Sequence, residues 1–230
     1  MFKQEKILSR NKDVFAHEVL MRNSNSTDWN TMKEDDLDTL VTKQLLYIFD
    51  EYMKYRFKEQ ATKRFFINIE RRQLFNIEFI KRIATLVNTM RSHGICIVFE
   101  ITERGHVQPN DVLMLKLLKN EYGFSFAADD VIPDDNRQHE FSANIYDFIK
   151  LDHLERWIAD VNTTKDWMYS IIETTSTQFI AEKIETHKEL SFAMALPFDF
   201  FQGYFLVNDI SRFFYKIKNI RLNDWMSIEK

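Results

Sequence analysis

The sequence predicts an α/β fold, a closed barrel in which strands and helices alternate, with one antiparallel strand near the N-terminus. Three observations carry this. Extended and helical segments alternate along the whole chain, an order that implies right-handed crossovers and a parallel sheet. About seven or eight strand segments share 230 residues, which suits one closed barrel better than two open sheets. No Ser/Gly/Pro-rich linker or repeat divides the chain, so residues 1–230 read as a single domain.

The elements follow in order. KQEKILS and DVFAHEVLMR flank Arg10-Asn11-Lys12, two extended runs around a short polar turn, hence a hairpin. Ser24 to Lys33 is polar and reads as a loop. From Leu37, apolar residues recur at Val41, Leu45, Ile48 and Tyr52, a helical stripe. FFINI (Phe65–Ile69) is a short strand of buried type. Ile80, Ile83, Val87 and Met90 mark a helix ended by His93-Gly94. ICIVFEIT (Ile95–Thr102) is rich in β-branched residues and is the clearest strand. Val112 to Asn120 is a helix ended near Gly123. FSFAAD (Phe124–Asp129) and DFIKLD (Asp147–Asp152) are strands. Leu154 to Ile172 is helical with a break near Asn162. Gln178–Ile184 and Asp199–Val207 are the last strands, and Asp209 to Ile217 a final helix.

Composition excludes several function classes. Four glycines leave no Gly-rich phosphate loop. A net charge of −4 without a basic stripe argues against a nucleic-acid polymer as partner. Cys96 is the lone cysteine, so no internal disulfide forms, and the reducing cytosol is the expected compartment. The start MFKQEKILSRNK lacks an apolar leader core, and no apolar run approaches the roughly 20 residues of a membrane span.

In a barrel of this kind, function gathers where strands end at their C-terminal side. Asn68 ends one strand, Glu100 and Glu103 the next, then Asp129 with Asp130, then Lys150 with Asp152. Glu182 and Glu185 stand near the end of the penultimate strand, Gln202 lies in the last, and Glu18 lies in the second hairpin strand. Several carboxylates in one barrel mouth raise each other's pKa unless cations intervene. Oxygen-only donors favour Mg²⁺, Mn²⁺ or Ca²⁺ over zinc.

These motifs, in order and over essentially the whole chain, resemble the EAL domains, bacterial phosphodiesterases that hydrolyse cyclic di-GMP. The resemblance rests on Glu18-Val19-Leu20-Met21-Arg22, Asn68, Glu100-Ile101-Thr102-Glu103, Asp129-Asp130 and Lys150-Leu151-Asp152. Ala181-Glu182-Lys183-Ile184-Glu185-Thr186, Gln202-Gly203-Tyr204 and Gln4, fourteen residues before Glu18, complete it. It implies a modified TIM barrel with one strand reversed, in accord with the hairpin. It also implies a metal pair: Glu18, Asn68, Glu100 and Asp129 on one ion, with Asp129 bridging to a second that Asp130 and Glu182 also hold. Mg²⁺ or Mn²⁺ would support turnover and Ca²⁺ inhibit it. Lys150 would hold the attacking water with its pKa depressed by the ions, and Glu182 and Glu103 complete the catalytic set, Glu103 by orienting other groups. Leu20, Arg22, Gln202, Gln4, Asp152 and Glu185 would serve the substrate.

The sequence departs from the family at two places. After the Asp pair the family carries Phe-Gly-x-Gly, a loop that helps place a metal ligand and is linked to dimer communication. Here Val131-Ile132-Pro133-Asp134-Asp135-Asn136 stands instead, and Asp134 and Asp135 read as a solvated turn. Pro133 fixes φ where glycine would free it. Lys183 replaces a family glycine beside Glu182. Two functions follow: hydrolysis of cyclic di-GMP to linear pGpG at reduced rate, or a silent receptor that binds cyclic di-GMP or a protein partner. With no sensory or cyclase domain in these residues, regulation is expected from expression, a homodimer or a separate regulatory protein.

Overall fold

The structure, a computed structural model, describes residues 2–22, 32–55, 63–102, 104 and 110–208. The predicted loop at Ser24 to Lys33 lies largely outside them, and the helix expected at Asp209 to Ile217 does so entirely.

Eight strands close into a barrel in sequence order. β1 (Phe2–Ser9) is antiparallel to both its neighbours, β2 (Val14–Met21) and β8 (Phe200–Gln202). The remaining strands run parallel: β3 (Arg64–Ile69), β4 (Cys96–Ile101), β5 (Ser125–Val131), β6 (Phe148–Leu151) and β7 (Gln178–Ala181). The reversal has a local cause. The β1–β2 link is a tight turn in which Lys12 takes φ 72° and its amide donates to the Ser9 carbonyl at 2.9 Å. So short a link can join only antiparallel strands, whereas parallel neighbours need a crossover of a dozen residues or more.

The crossovers are α1 (Glu34–Tyr55), α2 (Ile77–Ser92), α3 (Asp111–Tyr122), α4 (Gln138–Phe141), α5 (Leu154–Ile158), α6 (Val161–Thr174) and α7 (His187–Ala195). Their ends are chemically marked. The Asn76 side chain caps α2, and Gly123 closes α3 in the left-handed region at φ 64°. The expected break in the long helix falls at Ala159-Asp160, where the Asp160 carboxylate accepts from the Thr163 amide and starts α6. α7 was not read from the sequence, although Thr186 and Glu189 form a capping box at its start. No helix among the described residues is long and apolar enough to cross a membrane.

The last expected strand, Asp199–Val207, is corrected. It stops at Gln202, and Tyr204–Asn208 forms a short helix, α8. A Cβ on Gly203 would lie 2.3 Å from the Ile184 backbone nitrogen and oxygen. Only glycine permits that approach, and there the chain leaves the sheet. Likewise β7 ends at Ala181 rather than Ile184, because Lys183 takes φ 50°.

Inside the barrel, each strand contributes one residue to an apolar layer: Ile7, Ala16, Phe66, Val98, Ala127, Phe148, Ile180 and Phe200. Phe66 and Phe148 meet edge-on at 5.2 Å between centroids. Burial of each phenylalanine is worth about 1.5–3 kcal/mol. Phe15 stacks on Phe200 at 3.6 Å, with the Arg64 guanidinium 4.3 Å from its centroid, so an aromatic plug underlies the layer. The larger core lies between the outer face of the sheet and the helices.

Candidate metal centre and ligand cavity

Side chains on a strand repeat their facing every two residues. Two residues beyond the apolar layer, the same interior face therefore carries Glu18, Asn68, Glu100, Asp129, Lys150, Glu182 and Gln202, all polar and nearly all buried. On β1, which runs the other way, two residues before Ile7 stands Glu5. A floor of hydrocarbon with a ring of polar groups above it follows directly from strand period and strand direction.

Lys150 stands at the centre. Its Nζ lies 2.6 Å from Glu100 Oε1, 2.9 Å from Asp129 Oδ1, 2.9 Å from Glu182 Oε2 and 3.3 Å from Glu18 Oε2. Gln202 Nε2 donates to Glu18 Oε2 at 2.5 Å, and Asn68 Nδ2 to Glu18 Oε1 at 3.4 Å. One ammonium thus faces four buried carboxylates. Burial, then the Glu18 charge, pushes Glu100 well above the ordinary carboxylate range. Burial, against Lys150 and with Asp129, does the same to Glu182, and burial lifts Asp129 to about 6 despite Lys150. For Glu18, burial is outweighed by the Lys150 charge and the Gln202 hydrogen bond, and its pKa falls. Burial works against the Lys150 charge, but its four acids together hold its pKa well above the usual value. The depressed lysine expected from the sequence rests on bound ions, whereas the protein side chains by themselves shift it upward. The physical reason is the excess of anions.

Asp129 and Asp130 both reach the mouth although neighbours on a strand point to opposite faces. A bulge makes this possible: between the pairs Ala128–Ile149 and Val131–Leu151, β5 carries one residue more than β6. Asp130 takes φ 48° within it. Carboxylate oxygens of Asp129, Asp130 and Glu182 lie within 4.8 Å of one another. Glu182 Oε1 and Glu100 Oε2 are buried without a hydrogen bond. Orphaned acceptors, oxygen-only donors and uncompensated negative charge fit a hard divalent cation.

The loop after the Asp pair corrects the solvated-turn expectation in half. Asp134 is exposed and meets Arg156 at 2.7 Å. Asp135, with its side chain 5% exposed, grips the buried Arg137 at 2.6 Å. Arg137 Nη2 in turn donates to the Asp129 carbonyl at 2.7 Å, and Nη1 to the Ile101 carbonyl at 3.2 Å. An internal ion pair anchors the bulge without the glycines that this loop lacks.

Glu18, Asn68, Glu100, Asp129, Asp130 and Glu182, the residues expected to hold metal, lie together at the barrel mouth, with Lys150 and Gln202 among them. Leu20 and Glu185 line the cavity above, which measures about 470 Å³. Gln4 is corrected. It pairs with Val19, whose side chain packs outside the barrel, and its amide donates to the Tyr47 hydroxyl at 3.4 Å. Glu5, opposite Glu18, has the inward register instead and lines the cavity. Arg22 is exposed just after β2 and Asp152 is buried beside the cluster; neither lines the cavity. Asp152 instead binds Lys183 Nζ at 2.6 Å. Glu103 lies outside the described residues. Sequence reasoning missed Arg104, which lines the cavity and donates from Nε to Glu70 Oε1 at 2.9 Å. Tyr204, singled out only as part of the Gln-Gly-Tyr motif, stands 75% exposed at the rim.

A closed barrel with one reversed strand and a carboxylate ring around a buried lysine defines a class of barrel protein with an acidic, oxygen-donor mouth. The EAL domain family model matches residues 6–209, and the chain belongs to the EAL domain family. An uncharacterized protein of Bacillus subtilis strain 168, YuxH, is 29% identical over 226 residues, covering 92% of this chain and 49% of its own. The chain thus spans about half the length of that curated relative. The YkuI protein of Bacillus subtilis, solved with an EAL domain in complex with substrate c-di-GMP and calcium, superposes with a TM-score of 0.68 at 17% identity, over 99% of this chain and 60% of that one. The EAL domain of Mycobacterium smegmatis DcpA gives 0.65 at 16% identity, covering 96% of each chain. At such identities the likeness speaks to the fold.

Proposed function

We propose that the chain hydrolyses cyclic di-GMP to linear pGpG with Mg²⁺ or Mn²⁺. The observation that carries this is the intact ring of Glu18, Asn68, Glu100, Asp129, Lys150 and Glu182 on one face of the barrel, beneath a cavity of about 470 Å³. A cyclic dinucleotide bound to a protein of this family in the YkuI structure supports the substrate class. Glu18, Asn68, Glu100 and Asp129 would hold one ion, with Asp130 and Glu182 available to a second. Bound divalent ions supply Lewis acidity toward the phosphoryl oxygens and lower the pKa of water.

This chain's own groups do the rest. Lys150 Nζ, fixed by Asp129 and Glu18, presents donors to a water entering the ring. The water oxygen adds to one phosphorus, the bond from phosphorus to the 3′ oxygen breaks, and a proton passes to the departing 3′ oxygen. The product is a linear dinucleotide with a 5′-phosphate. Leu20 offers an apolar contact for a base, and Gln202 keeps Glu18 ionised and oriented.

Incubation of the purified chain with cyclic di-GMP and Mn²⁺ or Mg²⁺ should give pGpG, and Glu18→Ala should abolish it. Bound ligand without product at high protein concentration rejects hydrolysis and supports the second reading, a receptor for the same dinucleotide. One feature favours that reading: Asp130 and Asp152 are already bound to the Lys183 ammonium. Cytoplasmic location, a homodimer and control by a regulatory protein complete the proposal.

A further inference from the structure

The carboxylates of this site are divided between two lysines. The four inner acids share Lys150. Further out, Lys183 Nζ sits 2.7 Å from Asp130 Oδ1 and 2.6 Å from Asp152 Oδ2. Asp130 belongs, with Asp129 and Glu182, to the trio whose oxygens lie close enough to share an ion. Asp152 is buried beneath it and uses its other oxygen on the His153 amide at 2.6 Å.

The backbone places Lys183 there. Glu182 N donates to the Leu151 carbonyl at 3.1 Å, and Ile184 N to the Gln202 carbonyl at 3.0 Å, so residues on both sides are pinned. Between them Lys183 adopts φ 50°, a conformation disfavoured for a residue with a Cβ. Asp130 is left-handed as well, at φ 48°. Two residues in unfavourable conformations thus face each other through a 2.7 Å ion pair. Such strain persists where surrounding contacts over-determine it, and it gathers at functional sites.

We propose that the Lys183 ammonium acts as a resident cation at the outer half of the carboxylate cluster, so that the protein binds one divalent ion tightly, at the inner half, and a second only weakly. The inference rests on the metal-dependent reading above. A divalent ion shared by Asp129, Asp130 and Glu182 has to displace the ammonium from Asp130 and then tolerate its charge a few ångströms away. Both effects fall on that ion, because Lys183 pairs with Asp130 and Asp152 while Glu18 and Glu100 pair with Lys150. Asp130 and Asp152 meanwhile stay neutralised without any metal. The side chain is 58% exposed, so displacement is an equilibrium rather than a block.

The test is a Mn²⁺ titration of the full chain by calorimetry and by electron paramagnetic resonance. Wild type is expected to bind one ion tightly, with a second weaker by about tenfold or more. Lys183→Asn and Lys183→Gly accept the left-handed backbone and remove the charge. Each should tighten the second ion by about tenfold and give the spin-coupled signal of an adjacent Mn²⁺ pair. Lys183→Arg keeps the charge and should retain the wild-type pattern. Two equally tight ions in wild type, or a second ion unchanged in Lys183→Asn, overturns the resident-cation inference and leaves the hydrolase reading standing. No Mn²⁺ bound by wild type or by Lys183→Asn overturns the metal-dependent reading, and this inference with it. The wild-type stoichiometry decides even if a variant fails to fold.

Discussion

Arg137 Nη2 donates to the backbone carbonyl of Asp129 at 2.7 Å, tying a buried guanidinium to the residue at the heart of the carboxylate ring. Asp135 neutralises that guanidinium from the other side at 2.6 Å. Asp135→Ala should therefore leave a buried cation unpaired and cost about 3–5 kcal/mol of stability. Chemical denaturation measures this. A loss below about 1 kcal/mol would show that Arg137 does not depend on Asp135.

Among the described residues, Lys150 is the cation that the four inner acids share. Lys150→Met should abolish pGpG formation. It should also destabilise the metal-free protein by roughly 3–5 kcal/mol, since the carboxylates lose their counter-charge. Mn²⁺ should restore much of that stability. Thermal unfolding with and without Mn²⁺ tests the point, and a variant equally stable in both conditions contradicts the arrangement of charges described above.

Metal binding should depend on pH in a definite direction. Asp129 in the folded, metal-free protein titrates at about 6, above its ordinary 3.8, because burial disfavours its charge. Between those values the folded chain holds a proton that the unfolded chain has lost. Asp129 therefore costs stability increasingly as pH rises through this window, with the full cost present above about 6. A divalent ion must expel that proton at low pH. Mn²⁺ affinity should rise between pH 5 and 7, by about tenfold per pH unit for each proton displaced. Calorimetry in buffers of different ionisation enthalpy reads the released protons. Affinity that stays level across the range would contradict the raised pKa.

Gly203 lets β8 approach the turn after Glu182. The Cβ of Gly203→Ala would meet the Ile184 backbone at 2.3 Å, too close to survive without movement. The segment carrying Glu182 should shift, with a stability loss of about 1–3 kcal/mol and loss of activity by 100-fold or so. An alanine variant with normal Mn²⁺ affinity and activity would show that the contact is dispensable.

Much of the site was legible in the sequence because strand period and strand end are local properties. Glu18, Asn68, Glu100, Asp129, Lys150, Glu182 and Gln202 each stand two residues past an apolar strand residue, and a linear reading places them at one rim. The α7 start was legible too, in Thr186-His187-Lys188-Glu189, and was overlooked. Gln4 falls away from the cavity for a different reason. Matching by motif selects a residue type, whereas its facing depends on the register of β1 against β2, which pairs Gln4 with Val19 and Glu5 with Glu18.

By itself the sequence determined the barrel, its N-terminal hairpin and the acids at the strand ends, since alternation, turn length and two-residue periodicity act over a few neighbours. Only the tertiary structure decided which charges share which partners. Asp135 lies next to Asp134 in the chain, yet one is buried on Arg137 and the other exposed on Arg156. Lys183 reaches Asp130 across 53 positions of sequence. Such pairings depend on where strands and loops converge in space. Burial there makes an uncompensated charge costly, so the fold settles each acid on a cation that no local pattern identifies.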